Sequence, residues 1–502
     1  MTAGEAASSA GRAKPLGFAR DRADSLTASR LLVFGVASAV VCLVLTSQTS
    51  FLEFFPGDYG TSIFLPQMVT DWREAFLGFL VAYIALWIAF AMVLLALRGR
   101  DGGRATLAVL FAMPVVFTVI LTFMYPPWSL DFVHNVQDAR TLWLFGENPM
   151  VVPPHGNPFP VLQYWGHLPA PYGPLWFLLL FPVTVAGESV DVALHVLKFY
   201  QGLYYLGSAL LVYLIVREIS PGRQLFAFAL YAWNPFVFLR VTGNGHNDLT
   251  IVFFVLVAVW LLVQGRTRIT LAALAASALS KYVSLLLAPP LLLGAYLHAT
   301  DKRAFWRETA LGAALALVLA IAVFSVLWEG EETFDSLRQQ SELLANSPAL
   351  FLQSYLIFDG MSVGQATDIA RWTAFSVFGV VYAALLLAYW RSPRRINDLL
   401  ACMSLVLLAY VAIGSVWYMP WYLIWPLTLM ILVPGRWGVA MSIAMSLGGM
   451  FPDFVMWYGN RLGLEERVLW HIGTIVSMSF GLVALTWLVG IVRTRRLLPV
   501  DA

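Results

Sequence analysis

The sequence YPPWSLDFVHNVQDARTLWLFGENPMVVPPHGNPFPVLQYWGHLPAPYGPLW, residues 125–176, is a polar and proline-rich insert between strongly apolar stretches. A long polar loop in such a chain is a place where binding and catalytic side chains concentrate. The insert therefore predicts the position of a functional site. Its ionisable side chains include Asp131, His134, Asp138, Arg140, Glu147, His155 and His167.

Composition predicts the fold class. The chain has 502 residues, of which 60% are hydrophobic and 12% are charged, whereas soluble domains carry roughly 25% charged residues. An all-α polytopic membrane protein is predicted, because lipid offers the backbone no hydrogen-bond partner outside a helix or a closed barrel. The net charge of +2 does not indicate a nucleic-acid surface. Cys42 and Cys402 lie in apolar runs and are predicted to be small core residues.

Apolar runs predict about 14 transmembrane helices, since one crossing needs roughly 20 apolar residues. The run 269–298 is broken near Ser280-Lys281 and at Pro289-Pro290, so it is predicted to form a tight helical hairpin of two spans. The first run starts too deep in the chain for an ordinary signal peptide and is predicted to be an uncleaved span. The other predicted spans are 31–48, 75–97, 105–125, 192–216, 225–240, 249–264, 307–328, 371–390, 398–416, 421–434, 437–450 and 468–491.

The placement of lysine and arginine predicts the orientation, because cytoplasmic loops are enriched in these residues. With the N-terminus in the cytoplasm, most basic residues of the sequence fall on the cytoplasmic side. This orientation requires the run 175–187 not to cross, and its short length and Pro182 predict a helix on the outer surface. The insert then faces outward together with the loops 241–248, 329–370, 417–420 and 451–467.

Asp131, His134 and Asp138 share one face of a predicted helix, because their spacing is i, i+3 and i+7. Three interpretations are open. The residues form a solvated helix start at which Asp131, after Ser129, helps to cap the helix. Alternatively they belong to a metal site, which two carboxylates and one histidine do not complete. In the third interpretation one carboxylate is catalytic and accepts a proton from a hydroxyl nucleophile.

Two further polar groups lie between apolar runs. The sequence RVTGNGHND, residues 240–248, holds more donors and acceptors than a plain turn requires, and its glycines allow the backbone to approach a ligand closely. Lys281 has apolar residues on both sides, which is costly in lipid. Its ammonium group either extends to the membrane interface or provides a positive charge for a phosphate.

An aromatic cluster, WYMPWYLIW at residues 417–425, is predicted on the same outer side. Such clusters form belts at membrane interfaces, and aromatic faces also stack on sugar rings, so the two roles are compatible. The outward segment 329–370 begins with acidic residues and continues with spaced leucines. This pattern indicates an amphipathic helix on the membrane, placed to hold a lipid-linked substrate.

Taken in order, these motifs resemble those of the GT-C glycosyltransferases, and among them the bacterial mannosyltransferases that use polyprenyl-phosphate mannose. The resemblance covers about residues 105–435. Met150 departs from the family pattern, which usually has an aromatic residue there. The matching elements are Asp131 after a core span, Gly146-Glu147-Asn148-Pro149, Tyr172-Gly173-Pro174-Leu175, His246-Asn247-Asp248, Lys281-Tyr282 and Pro420 to Trp425.

The resemblance implies an inverting transfer of a sugar, mannose in the family, from a polyprenyl phosphate to a glycan or glycolipid acceptor. Asp131 would be the general base, and Lys281, His246 and Arg240 would bind the donor phosphate. Neither a metal nor a cofactor is expected. The residues that would bind the sugar or the acceptor are Asp138, His134, Asn247, Asp248, Tyr172, Trp417, Tyr418, Trp421 and Tyr422.

The resemblance also implies a location, the inner membrane of a bacterial cell with the active site on its outer, periplasmic side. Four regions are predicted along the chain: a cytoplasmic tail, an additional N-terminal transmembrane pair, a GT-C core, and C-terminal helices with a tail. They occupy residues 1–29, 30–104, 105–435 and 436–502. The outer loops of the core are predicted at 126–191, which carries juxtamembrane helices, 241–248 and 329–370.

Two other classes of protein compete with this interpretation. A transporter or flippase of a lipid-linked or polar substrate would usually contain an inverted repeat with broken helices paired across its halves, whereas this sequence has one broken region, near 280–290. A polymer ligase or polymerase would join pre-made glycans through a large outer loop. The largest outer loop of this chain comes early, which favours the GT-C resemblance.

Overall fold

A computed structural model describes the chain at residues 14–48, 71–100, 102–129, 131–154, 168–187, 189–392, 395–459, 462–463 and 467–500. Within these ranges the regular elements are helices, and the one β-type contact is an isolated bridge between Ala345 and Trp417. The predicted all-α fold is therefore confirmed.

The α-helices follow one another closely along the described residues. The first ten are α1 (Lys14–Gln48), α2 (Trp72–Leu97), α3 (Arg104–Thr122), α4 (Asp131–Trp143), α5 (Pro174–Leu179), α6 (Val190–Ile219), α7 (Gln224–Ala232), α8 (Asp248–Val263), α9 (Thr267–Ser280) and α10 (Ala288–His298). The remaining ones are α11 (Lys302–Leu327), α12 (Asp335–Glu342), α13 (Pro348–Phe358), α14 (Val363–Arg391), α15 (Ile396–Ala409), α16 (Ile424–Leu432), α17 (Gly435–Met450), α18 (Asp453–Tyr458) and α19 (Val468–Thr494).

Ten helical stretches of the described residues are long and apolar enough to cross a membrane, as expected of an integral membrane protein. Each coincides with a span predicted from the sequence. The predicted total of about 14 is not confirmed, because the other candidates are shorter helices of 10–17 residues. These shorter candidates are Asp248–Val263, Thr267–Ser280, Tyr282–His298 and Pro420–Leu432.

The short helix α16 lies at the centre of the bundle. Every residue of α16 is buried, and the helix contacts α6, α7, α8, α15 and α17. In contrast, α11 and α14 leave most of their apolar surface uncovered, as lipid-facing helices do. The groups at the N-terminal end of α16 are therefore enclosed by protein and do not face lipid.

The predicted break at Ser280-Lys281 is confirmed. Helix α9 ends at Ser280, Lys281 is extended with φ −157° and ψ 123°, and a 3₁₀ stretch, Tyr282–Leu287, follows. The predicted tight hairpin is not formed, because this stretch separates α9 from α10 and the two helices share few contacts. Pro289 and Pro290 lie in the first turn of α10. Backbone N–H groups have no partner within the helix at this position, so the N–H that proline lacks is not needed.

The run predicted not to cross forms α5 and a 3₁₀ helix, Phe181–Ala186. Its apolar length is much less than a crossing needs, in agreement with the prediction.

The N-terminal helices are packed into the bundle. Helix α1 lies along α2 and α3, and it begins at Lys14, so part of the predicted tail 1–29 is helical. The division of the chain into four regions stays a prediction.

Candidate active site

Side chains from well-separated parts of the chain line two adjoining cavities. They are named the carboxylate cavity, after its acids, and the lysine cavity. Their empty volumes are about 780 and 840 Å³, which include space open to solvent. The carboxylate cavity is lined by Asp131, His134, Asp138, residues 168–172, Ser336, Gln340, Leu343, Trp417, Met419, Trp421 and Tyr422. The lysine cavity is lined by Pro171, Tyr172, Lys281, Tyr282, Val283, Leu337, Gln340, Ser341, Phe375, Tyr410, residues 414–417, Tyr422 and Trp425.

One wall belongs to both cavities. Tyr172, Trp417 and Tyr422 line each of them, together with Pro171 and Gln340. A molecule in the carboxylate cavity and a molecule in the lysine cavity would therefore meet at this shared aromatic wall.

Asp131 is the first residue of α4. Its backbone N–H donates to Ser129 Oγ at 3.1 Å, so Ser129 caps the helix and the Asp131 carboxylate, 30% exposed, faces the cavity. Burial opposes its ionisation, but His246 and the charge of Lys281 outweigh burial and hold the pKa of Asp131 below its ordinary value. Asp131 is therefore ionised at neutral pH.

Burial disfavours the charged forms of the other two residues on this face. Burial raises the pKa of Asp138 well above its ordinary value, and burial lowers the pKa of His134 to about 4 although Asp131 opposes this. Asp138 Oδ2 and His134 Nε2 are buried and have no hydrogen-bond partner within the described ranges. Asp131 is therefore the more readily ionised of the two carboxyl groups in this cavity, and its two neighbours have polar atoms that ligand hydroxyl groups could reach.

His246 connects Asp131 to the interior of the bundle. Its Nδ1 lies 3.5 Å from Asp131 Oδ2, and its Nε2 lies 3.0 Å from Arg240 Nη1. A guanidinium only donates, so Nε2 accepts and the imidazole proton is on Nδ1, facing Asp131. Burial lowers the pKa of His246, Asp131 raises it and Arg240 lowers it, with a net shift below the ordinary value. His246 is therefore neutral, and its Nδ1–H faces the carboxylate across a distance longer than an ordinary hydrogen bond.

The turn that carries His246 depends on its local sequence. The helix that continues from α7 widens into a π-helical stretch, Phe236–Thr242. Gly245 then takes a positive φ of 68°, a conformation that glycine adopts without strain. The turn places Asn244, His246 and Asp248 inside the bundle, where all three are buried.

Lys281 has a partner inside the protein. Its ammonium donates to Asp248 Oδ1 at 3.0 Å, and Trp425 Nε1 donates to the same oxygen at 2.8 Å. The ring centroids of Tyr422, Trp425 and Tyr172 lie 4.6, 5.0 and 5.6 Å from Nζ, distances typical of cation–π contacts. The ammonium keeps N–H groups free for a second anion, since it has three.

Some predicted residues are not brought to the cavities. Arg240 is fully buried and its guanidinium binds Asp453 and His246, so it is not positioned to contact a phosphate in the lysine cavity. Tyr418 is buried against Phe480 at a ring-centroid distance of 4.8 Å. His246, Asn247 and Asp248 are buried behind the cavity walls.

The sequence pattern missed several residues. Asp453 was not singled out, although an acid just after an apolar run is a signal of buried pairing. Ser336 and Gln340 belong to α12, one of several short helices that replace the single amphipathic helix expected in 329–370. Within the described ranges, no group of three or more His, Cys, Asp or Glu residues could hold a metal ion. His155 and His167 lie outside those ranges.

Gly173 sets the distance between the insert and α9. Its N–H donates to the Ser280 carbonyl oxygen at 3.0 Å, and a Cβ on residue 173 would lie far inside contact distance of the Leu279 carbonyl oxygen. We expect Gly173→Ala to displace Tyr172 from Lys281, to cost about 1–3 kcal/mol of stability and to reduce any activity of the site about tenfold. Thermal unfolding and turnover in detergent would measure this.

The matched control for this substitution is Gly364→Ala, since a Cβ on residue 364 meets nothing within 4 Å. Equal stability and turnover of the two variants would contradict the close approach at Gly173.

The chain is similar to known mannosyltransferases. Residues 157–297 match the family model described as Alpha-(1->6)-mannopyranosyltransferase, N-terminal domain, a range that includes Tyr172, His246 and Lys281. Alpha-(1->6)-mannopyranosyltransferase A of Mycobacterium tuberculosis is 28% identical over 271 residues, covering 51% of this chain and 52% of the relative. The chain thus spans about half the length of the curated relative it matches. Both findings confirm the predicted resemblance to membrane mannosyltransferases.

Proposed function

We propose that the protein transfers mannose from a polyprenyl-phosphate donor to a hydroxyl group of a glycan or glycolipid acceptor on the outer face of the membrane, with inversion at the anomeric carbon. The observation that carries this proposal is the convergence of Asp131, an ionised carboxylate, and Lys281, a cation, on adjoining cavities with a shared aromatic wall. The names of the matching family and relative support mannose and an α-1,6 linkage.

The two cavities suggest where each substrate binds. The lysine cavity offers Lys281 to the phosphate and apolar groups, such as Val283 and Phe375, to the first part of the lipid chain. The carboxylate cavity offers Asp138, His134 and aromatic faces to the acceptor. The mannosyl group would then lie at the shared aromatic wall.

The reaction would be a single displacement. Asp131 accepts the proton of the acceptor hydroxyl as its oxygen forms a bond to the anomeric carbon. The bond from that carbon to the phosphate oxygen breaks on the opposite side, and its electron pair leaves with the polyprenyl phosphate. Lys281 stabilises the charge that develops there. A β-linked donor would give an α-linked product.

Arg240 and His246 receive a different role from the one that the resemblance implies. Arg240 binds Asp453, and Nδ1 of His246 faces Asp131 at 3.5 Å. Both residues would orient Asp131, and neither would bind the donor phosphate. The outward orientation of the site rests on the distribution of basic residues.

Purified protein should form labelled product from polyprenyl-phosphate mannose and an α-linked mannose oligosaccharide. The product should have the α configuration by NMR. A chelator should leave the rate unchanged, because the leaving group is a polyprenyl phosphate monoester and not a diphosphate, and with a lysine nearby its departure does not require a metal. GDP-mannose should give no product.

A transporter or flippase, the alternative, would move the lipid-linked substrate across proteoliposomes and form no new linkage. Transport without transfer, or transfer from GDP-mannose alone, would contradict the proposal.

A further inference from the structure

We infer that Asp453 is a positioning residue of the active site, which holds the Asp131 carboxylate through Arg240 and His246. The inference rests on the proposed function, in which Asp131 is the base. Asp453 lies outside the predicted core 105–435 and outside the matched range 157–297, so neither the motifs nor the comparisons assign it a role.

The first step is a fully buried ion pair. Arg240 Nη2 donates to Asp453 Oδ1 at 2.8 Å, Arg240 Nε contacts Oδ2, and neither side chain is exposed. A guanidinium without an anion would be costly at this depth. Two contacts to one carboxylate also fix the plane of the guanidinium.

The second step transmits this orientation to His246. The remaining Nη1 of Arg240 lies 3.0 Å from His246 Nε2. Trp421 holds both groups: the His246 ring stacks on its indole at 4.2 Å and 23°, and Arg240 Cζ lies 4.8 Å from its centroid. The imidazole is therefore fixed in tilt and in tautomer, and its Nδ1–H faces the Asp131 carboxylate, with Nδ1 at 3.5 Å from Oδ2.

The third step concerns what holds Asp453. It is the first residue of α18, and the next residue, Phe454, packs against Phe76 and Tyr83 of α2 at 5.1 and 5.3 Å between ring centroids. The hydroxyl groups of Tyr83 and Tyr418 lie near enough to the ion pair to interact with it electrostatically. Residues of α2 and α18 thus position the Asp453 carboxylate. This carboxylate in turn orients Asp131 through Arg240 and His246.

A double-mutant cycle tests the connection. We expect Asp453→Asn to lower kcat about tenfold with both KM values within about threefold, and His246→Ala to lower kcat about 100-fold. The double variant should be no slower than His246→Ala, because Asp453 acts only through His246. Independent effects would multiply to about 1,000-fold, and that outcome would overturn the inference.

Further variants separate positioning from folding. Asp453→Glu keeps the carboxylate and should restore most of kcat, whereas equal losses in the Glu and Asn variants would indicate a packing role only. Glu308→Gln is the control for removal of an arginine-binding carboxylate away from the site. Glu308 binds Arg268 through two contacts and Arg307 through one, and the kcat of this variant should be unchanged. Each rate is divided by the concentration of donor-binding sites. A variant that is partly unfolded therefore does not give a falsely low kcat.

The same data distinguish the two proposals. Absence of product from the unsubstituted enzyme contradicts the proposed function. An active enzyme with multiplicative losses contradicts the role of Asp453 alone.

Discussion

Asp131→Asn should reduce transfer by about 1,000-fold, since general-base catalysis contributes roughly 10²- to 10⁴-fold. The amide has nearly the same shape as the carboxylate but cannot accept the acceptor proton. Its neighbours on this face are poor replacements, because burial disfavours the ionised form of Asp138 and makes His134 a weak base with a pKa of about 4. Single-turnover rates with saturating donor and acceptor measure the effect.

Donor affinity is the internal control for this variant. Asp131 is predicted to act on the acceptor hydroxyl, so the Kd for polyprenyl-phosphate mannose should change by less than about threefold. Asp138→Asn is the matched carboxylate control and should lower kcat by no more than about tenfold. Retained turnover in Asp131→Asn would remove Asp131 from its role as base.

Lys281→Met should weaken donor binding by about 10- to 100-fold, because a hydrogen bond to a charged group contributes roughly 1.5–3 kcal/mol. It should also destabilise the protein by about 3–5 kcal/mol, since the fully buried Asp248 carboxylate loses its cationic partner and keeps only the N–H of Trp425. Isothermal titration with donor and thermal unfolding in detergent measure the two effects separately.

The double variant Lys281→Met/Asp248→Asn separates these effects, because it removes both charges. It should recover most of the lost stability and none of the lost donor affinity. Lys302→Met is the matched control, since Lys302 also lies over a tyrosine ring, that of Tyr296, on the predicted cytoplasmic side. Wild-type donor affinity in the folded double variant would assign Lys281 a structural role only.

The parts of the site that lie in short motifs could be predicted from the sequence. Asp131 and Lys281 were singled out because an ionisable group beside apolar sequence is costly unless it has a role. Their approach to adjoining cavities follows from loops that all fall on one side of the predicted spans. Hydropathy does not distinguish a short enclosed helix from a membrane span, so the crossing predicted for the short central helix α16 stays a prediction.

The partners of these residues could not be predicted in the same way. Arg240 and Asp453 are 213 positions apart, and no local pattern joins them. The resemblance implies that Arg240 binds a phosphate, and only the packed structure shows that its guanidinium binds the carboxylate of Asp453. Trp425, which donates to Asp248, was hidden in an aromatic run that membrane interfaces also favour.

The shared aromatic wall has a kinetic consequence. If donor and acceptor occupy adjoining cavities on either side of Tyr172, Trp417 and Tyr422, both must be bound before the sugar moves, and the order is sequential with no glycosyl-enzyme. An empty carboxylate cavity would hold water next to Asp131, and water is also a nucleophile. The acceptor would therefore protect the donor from hydrolysis by occupying that space, so wasteful cleavage should be greatest when acceptor is scarce.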